Sequence, residues 1–184
     1  MQNYTKTLLV ILIVAGAVLA KADPSYPSTV FATPPAGASA PDSITTGAGS
    51  VWVSYDGGTN SDGTVPGTFS TVVRYSPTGA VQSTFKIEGD VDGLKYNPYT
   101  GVVWALQNQD ANSSLSLIDP ATNTLTHETY AVTSPTQGYD DVVFTKDATF
   151  LSYTDPSGPG DSTLQEIVPG TSPIQVNSSS DSRV

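Results

Sequence analysis

Residues Asp92 to Leu125 read DGLKYNPYTGVVWALQNQDANSSLSLIDPATNTL. Within them, short apolar or alternating runs at 93–96, 102–106 and 114–118 are separated by Gly, Pro, Asn and Asp, the residues that favour turns. A fourth run begins at Thr124. No stretch has the sustained 3.6-residue apolar period of a helix. This part of the chain therefore predicts four short β-strands in succession.

The same pattern recurs with a period of about fifty residues. Units open at Asp42, Asp92 and Asp141, and an aromatic residue follows on the next run of each: Trp52, Trp104 and Phe150. Four short strands per unit at this period are typical of β-propeller blades. We therefore predict an all-β chain with about three four-stranded blades, in which the aromatic residues fill the space between blades or, less simply, serve as ligand platforms. A β-sandwich, which also has short strands and frequent turns, is the alternative.

Two turns of the second unit resemble those of a known family. Ile118-Asp-Pro-Ala-Thr-Asn-Thr-Leu125 resembles the turn between third and fourth strands in YVTN-type and NHL-type β-propellers, and Tyr96-Asn-Pro-Tyr-Thr-Gly-Val-Val-Trp104 is similar to their turn and second strand. The resemblance covers roughly residues 41–170 and implies the propeller fold. It implies no single activity, since these propellers range from binding proteins to lactonases and lyases, including streptogramin-lyase-like and gluconolactonase-like proteins.

The beginning of the chain has the pattern of a secretory signal peptide. Lys6 precedes an apolar run from Leu8 to Leu19, and Ala20-Lys-Ala22 supplies small residues for cleavage. The run is too short to cross a bilayer core, which takes about 20 residues in a helix. We therefore expect a secreted or periplasmic protein. The expected segments are a signal peptide at 1–22, a Pro/Ala/Ser-rich extended lead-in that packs weakly at 23–40, blades at 41–88, 89–136 and 137–176, and a disordered or truncated tail at 177–184.

Three blades are fewer than a closed propeller contains. Such rings have 4 to 8 blades, and six blades of this size take on the order of 300 residues. Open blades leave unpaired strand edges and bare aromatic faces. We therefore expect either a truncated reading frame or fragment of a six- or seven-bladed ring, or closure of the ring by a second copy.

Composition and charge exclude several classes of function. The chain has 7 basic and 17 acidic side chains. Removal of residues 1–22, which hold two lysines and no acid, changes the formal charge from −10 to −12. A protein that binds nucleic acid or anionic lipid by electrostatic attraction needs basic patches, so both classes are excluded. With no cysteine, disulfides, thiol nucleophiles and Cys-ligated metals are excluded as well.

The propeller interpretation places ten of the acids at or near one rim. Asp92 and Asp141 precede the inner strands and are the carboxylates best placed to face a central channel, although hydrogen bonding to nearby backbone is the simpler role. Exposed tyrosines among short polar residues suit glycan or peptide ligands, and Tyr55, Tyr139 and Tyr153 are the candidates, with packing at strand ends as the equal alternative.

The same rim offers oxygen ligands for Ca²⁺ or Mg²⁺, with Asp56, Asp62, Asp90 and Asp92 as the candidates. The 56–63 loop lacks the EF-hand register, and acidic loops also keep a secreted protein soluble. His127, the only histidine, maps to an outer strand, which argues against a Ser-His-Asp triad or a His-ligated metal.

Two functions follow as hypotheses. The first is a binding or interaction scaffold whose acidic rim contacts an extracellular glycan, peptide or protein. The alternative is a metal-assisted lactonase or lyase of the same fold, whose catalytic residues lie partly in missing blades.

Overall fold

The computed structural model describes residues 28–132, 137–153 and 164–178, which form twelve β-strands and no helix. The all-β prediction is confirmed. The expected signal peptide at 1–22, the loop at 155–161 and the chain after Ser178 lie outside the described residues.

The strands form three separate four-stranded antiparallel sheets, each built from four consecutive strands. The first sheet contains β1 (Pro41–Gly47), β2 (Ser50–Tyr55), β3 (Phe69–Tyr75) and β4 (Val81–Glu88). The second contains β5 (Val91–Tyr96), β6 (Val103–Gln107), β7 (Ser114–Asp119) and β8 (Thr124–Thr129). The third contains β9 (Tyr139–Phe144), β10 (Thr149–Tyr153), β11 (Leu164–Val168) and β12 (Gln175–Ser178). Each sheet is an open meander, and none of the three closes on itself.

The turns between third and fourth strands depend on residues that accept backbone hydrogen bonds or tolerate positive φ. Between β7 and β8, a carboxylate oxygen of Asp119 accepts a hydrogen bond of 2.8 Å from the Ala121 amide, and Asn123 has a φ of 57°. That hydrogen bond lowers the pKa of the Asp119 carboxyl. In the first sheet, the Ser76 hydroxyl accepts from the Ala80 amide. Short polar side chains stabilise such turns by bonding to nearby backbone.

The first strands of the sheets lie side by side, with β5 between β1 and β9. The Ser43 hydroxyl on β1 donates to the Asp92 carbonyl on β5. On the other side of β5, a Cβ atom at Gly93 would lie 2.4 Å from the Asp140 carbonyl oxygen of β9. Only glycine permits an approach this close, so Gly93 sets the spacing of these two strands.

Apolar side chains fill both spaces between neighbouring sheets. Trp52 is fully buried between the first and second sheets, and its ring stacks on Phe85 with centroids 6.3 Å apart. Between the second and third sheets, Trp104 meets Phe144 edge to face at 5.1 Å. The aromatic residues of the first two units therefore pack between sheets.

The aromatic residue of the third unit is not covered by another sheet among the described residues. Phe150 pairs with Val143 and Glu166, whereas its neighbour Leu151 is fully buried in the core shared with the second sheet. Because successive side chains of a strand point to opposite faces, Phe150 lies on the face of the third sheet that is turned away from the second. Val143, on the same face, is 51% exposed.

The lead-in covers the outer face of the first sheet. Ala32 and Ala38 pack against the cluster formed by Tyr55, Val73 and Tyr75. The Asp56 and Gly57 amides donate hydrogen bonds to the backbone carbonyls of Ala40 and Ser39, and these bonds fix the end of the segment. The described part of this segment, which the sequence led us to expect as weakly packed, thus contributes to a core.

Candidate functional site

The starts of the first strands enclose a cavity of about 270 Å³, which we call the acidic cavity. Its lining residues come from β1, β5 and β9: Ser43, Ile44, Asp92, Gly93, Leu94, Lys95, Asp140 and Asp141. It forms where β5 lies between β1 and β9, the three strands that each stand at one end of their sheet. The structure therefore brings together Asp92 and Asp141, two of the predicted site residues.

The Asp92 carboxyl, which lines this cavity, has a raised pKa. Burial first, and the nearby charges of Asp90 and Asp42 second, raise the pKa of its carboxyl to about 7, while a hydrogen bond from the Gln109 amide at 3.1 Å acts in the opposite direction. Desolvation disfavours the charged form of a carboxyl, and neighbouring carboxylates add to that effect. Asp92 can therefore hold or release a proton near neutral pH.

Lys95 and Asp141 form an ion pair at the cavity. The Lys95 Nζ atom lies 3.6 Å from Asp141 Oδ2, with both side chains about half exposed. An exposed pair of this kind contributes little to stability, typically under about 1 kcal/mol. Lys95 is the only basic residue among the described residues that line the cavity, so no second basic side chain there pairs with Asp140 or Asp92. Lys95 was not among the predicted site residues; the signal that could have found it is a rare basic residue within an inner strand.

Asp90 has a structural role next to the cavity. It is buried, and its carboxylate accepts a hydrogen bond of 2.7 Å from the Thr59 hydroxyl. Its amide donates to Asn108 Oδ1 at 3.0 Å. Asp90 therefore links the β2–β3 loop of the first sheet to the β6–β7 loop of the second.

Of the four carboxylates predicted as metal ligands, Asp90 and Asp92 lie close enough to interact, whereas Asp56 and Asp62 are each engaged within their own loop. Asp56 accepts from the Gly58 amide at 3.2 Å, and Asp62 accepts from both the amide and the hydroxyl of Thr64. These hydrogen bonds from Thr64 lower the pKa of Asp62. In the described parts of the chain, no three His, Cys, Asp or Glu side chains are grouped to hold a metal ion. The Ca²⁺ or Mg²⁺ prediction gains no support from this geometry.

The tyrosines predicted as rim ligands use their hydroxyls internally. Tyr55 is buried, and its hydroxyl lies 2.8 Å from that of Tyr75. Tyr139 is also buried and donates to Gln165 Oε1 at 2.7 Å. The half-buried Tyr153 donates to the Gln137 side chain and packs 5.5 Å from the Tyr139 ring. Tyr55 and Tyr139 therefore present no exposed ring for stacking, because the lead-in and the second sheet cover them.

His127 lies on β8, the last strand of the second sheet, and its ring nitrogen is 3.5 Å from the Ser116 hydroxyl. That hydroxyl already donates to Gln107 Oε1 at 2.7 Å. Among the described residues, no carboxylate forms a hydrogen bond with His127, so the arrangement lacks the order of a catalytic triad.

Among the described residues, no helix is long and apolar enough to span a membrane. No protein-family model matches the chain, and no curated protein or solved structure matches it significantly. The acidic cavity is thus interpreted from its geometry alone.

Proposed function

We propose that the chain is a secreted binding protein built from β-propeller-type blades, and that the acidic cavity is its ligand-contacting surface. The observation that carries this proposal is the convergence of Asp92, Asp140 and Asp141 at the starts of three adjacent strands. Carboxylates in such a cavity favour ligands that donate hydrogen bonds or carry positive charge. The ligand class is an amino-bearing glycan or a Lys- or Arg-containing peptide.

Two observations support the propeller part of the proposal. The sheets are four-stranded meanders with their first strands adjacent, as blades are around an axis. In addition, Trp52 and Trp104 each pack toward the following sheet, and Phe150 occupies the equivalent face of the third sheet. A further sheet, from additional blades or from a second copy, would cover Phe150. On the other side, the lead-in occupies the outer face of the first sheet, so closure of a ring there requires its displacement.

A glycan and peptide array with the full chain tests the binding function. We expect amino-bearing ligands to bind, and binding to strengthen between pH 6 and pH 8 as Asp92 ionises. A double variant, Asp140→Asn with Asp141→Asn, should weaken binding about tenfold, since charge-assisted hydrogen bonds contribute about 1.5–3 kcal/mol each and exposure reduces that value. Glu88→Gln, which neutralises an exposed carboxylate outside the cavity, is the matched control. No bound ligand, or equal binding by the double variant, would contradict the proposal.

A second function, hydrolysis or elimination by acid–base catalysis, is favoured by one observation. Asp92 has a pKa near 7, which suits a group that exchanges protons at neutral pH. Lactone hydrolysis and lyase assays of wild type and Asp92→Asn, each with and without Mg²⁺ or Ca²⁺, test this alternative. Equal turnover by both proteins would exclude Asp92 as the acid or base.

A further inference from the structure

A second cavity lies between the second and third sheets and has a volume of about 560 Å³. We call it the intersheet cleft. Side chains of both sheets form its walls, among them Trp104, Leu117 and Ile167, and the bend at 145–148 lines it as well. It shares no residue with the acidic cavity. Its volume is within the range of about 300–1,000 Å³ that is typical of small-molecule sites.

The equivalent space between the first and second sheets is filled. Trp52 pairs with Arg74 across β2 and β3, and two residues earlier on β3, Val72 pairs with Phe85 on β4. The Phe85 ring stacks on Trp52, and the Arg74 guanidinium lies 5.2 Å from the Trp52 ring centroid. An aromatic ring and a cation thus occupy the two positions beside this tryptophan.

The register of the second sheet places different residues at both positions. Trp104 on β6 pairs with Leu117 on β7. Two residues earlier on β7, Leu115 pairs with Glu128 on β8. Leu117 therefore stands where the first sheet has Arg74, and Glu128 where it has Phe85. The second tryptophan therefore has neither a ring nor a cation at these two positions; its aromatic contact is the edge-to-face one with Phe144 on the third sheet. The intersheet cleft lies beside it.

Glu128 gives the cleft its charge. Its side chain is half-buried and has no hydrogen bond or ion pair with any described residue. The other charged residues of the lining, Lys146 and Asp147, are exposed and of opposite sign, so the formal charge of the lining is −1. A half-buried carboxylate at an apolar wall attracts a cation with an apolar body.

We propose that the intersheet cleft binds a small organic cation with a flat apolar ring and an ammonium group. The ring packs against Trp104 and the leucines, and the ammonium group donates to Glu128. Such a ligand supplies the ring and the positive charge that Phe85 and Arg74 supply at the first interface. This site is independent of the acidic cavity and of the function proposed for it.

Three probes of equal ring size and different charge test the proposal: 2-phenylethylammonium, 2-phenylethanol and 3-phenylpropanoate. Calorimetric titration of the full chain should give saturable binding of the ammonium probe in the millimolar range or tighter. Binding of the alcohol should be about five- to tenfold weaker, because it lacks the charge-assisted contact, and the carboxylate should not bind. The chain has two tryptophans, so the ammonium probe should shift one indole N–H signal, that of Trp104, and leave that of Trp52 unchanged.

Two variants at one position make the test specific. Glu128→Gln keeps the shape and should remove the preference for the ammonium probe over the alcohol. Glu128→Phe places a ring where the first sheet has Phe85, and it should abolish binding of every probe while raising the melting temperature. His127→Gln, on the opposite face of the same strand, is the control and should bind as wild type does. Absence of saturable binding, equal binding of the carboxylate probe, or an unchanged preference in Glu128→Gln would each overturn the proposal. In Asp92→Asn, which changes only the acidic cavity, binding should persist.

Discussion

Replacement of Asp92 by Asn should make the protein more stable at pH 8 than wild type, although it removes a side chain of the candidate site. In wild type, burial first and the charges of Asp90 and Asp42 second raise the Asp92 pKa from 3.8 to about 7. Below pH 3.8 the carboxyl is protonated in both the folded and unfolded states and contributes no pH dependence. Between pH 3.8 and 7 it ionises in the unfolded state only, so it progressively destabilises the folded state. Above pH 7 the destabilisation is complete.

The size of the effect follows from the two pKa values. A rise from 3.8 to about 7 corresponds to about 4 kcal/mol for a carboxyl shielded from water. Because the Asp92 side chain is only partly buried, screening by solvent reduces this to about 1–2 kcal/mol. In a chain of this size, that difference is about 3–6 °C in melting temperature. The amide oxygen that Asp92→Asn introduces would still accept the hydrogen bond from the Gln109 amide, so the substitution changes the charge and little else.

Differential scanning calorimetry at intervals from pH 4 to pH 9 measures the effect. The melting temperature of Asp92→Asn minus that of wild type should increase through pH 4–7 and then stay constant. Asp147→Asn, which removes an exposed carboxylate, should show no such increase. Parallel curves for Asp92→Asn and wild type across the whole range would show that the Asp92 carboxyl ionises normally, and the assignment of its raised pKa would be refuted.

Three further substitutions test individual contacts of the structure. Gly47→Ala should cost about 2 kcal/mol, because the added Cβ would lie 2.0 Å from the Tyr96 ring; an unchanged urea midpoint would refute the close contact. Tyr55→Phe should cost about 1 kcal/mol by removing the partner of the Tyr75 hydroxyl, and chemical denaturation should show that loss; a gain in stability would contradict the buried hydrogen bond. Lys95→Gln should change the unfolding free energy by under about 1 kcal/mol but strengthen the binding of cationic ligands in the acidic cavity; weaker binding would show that Lys95 contacts the ligand directly.

Local patterns in the sequence predicted the strands well, because strand and turn preferences act over a few residues. The runs at 93–96, 102–106 and 114–118 all lie within or overlap strands of the second sheet. The roles of the tyrosines were harder to predict. Tyr55 stands at a strand end beside Asp56, as an exposed rim residue would, yet the lead-in packs over the cluster to which it belongs. Burial by a segment that lies elsewhere in the sequence leaves no signal at the position itself.

For the candidate site as well, some features can be predicted from the sequence and others depend on the tertiary structure. The acidic residues and their position near the starts of the inner strands can be identified in the sequence, and so can the fifty-residue period that relates Asp92 to Asp141. The raised pKa of Asp92 cannot, since it depends on how deeply the folded chain buries this carboxyl and on how close Asp90 and Asp42 come to it.

By itself, the sequence determined the all-β class, the number of strands per unit and the acidic character of one region, because alternation, turn residues and charge are properties of short segments. Tertiary structure alone decided which faces are covered and which spaces stay open. The sequence contains both Phe85 and Glu128, but only the register of β3 with β4 and of β7 with β8 shows that they occupy equivalent positions. One fills the space beside a tryptophan and the other leaves it open, because a ring stacks on an apolar neighbour whereas a carboxylate remains close to water.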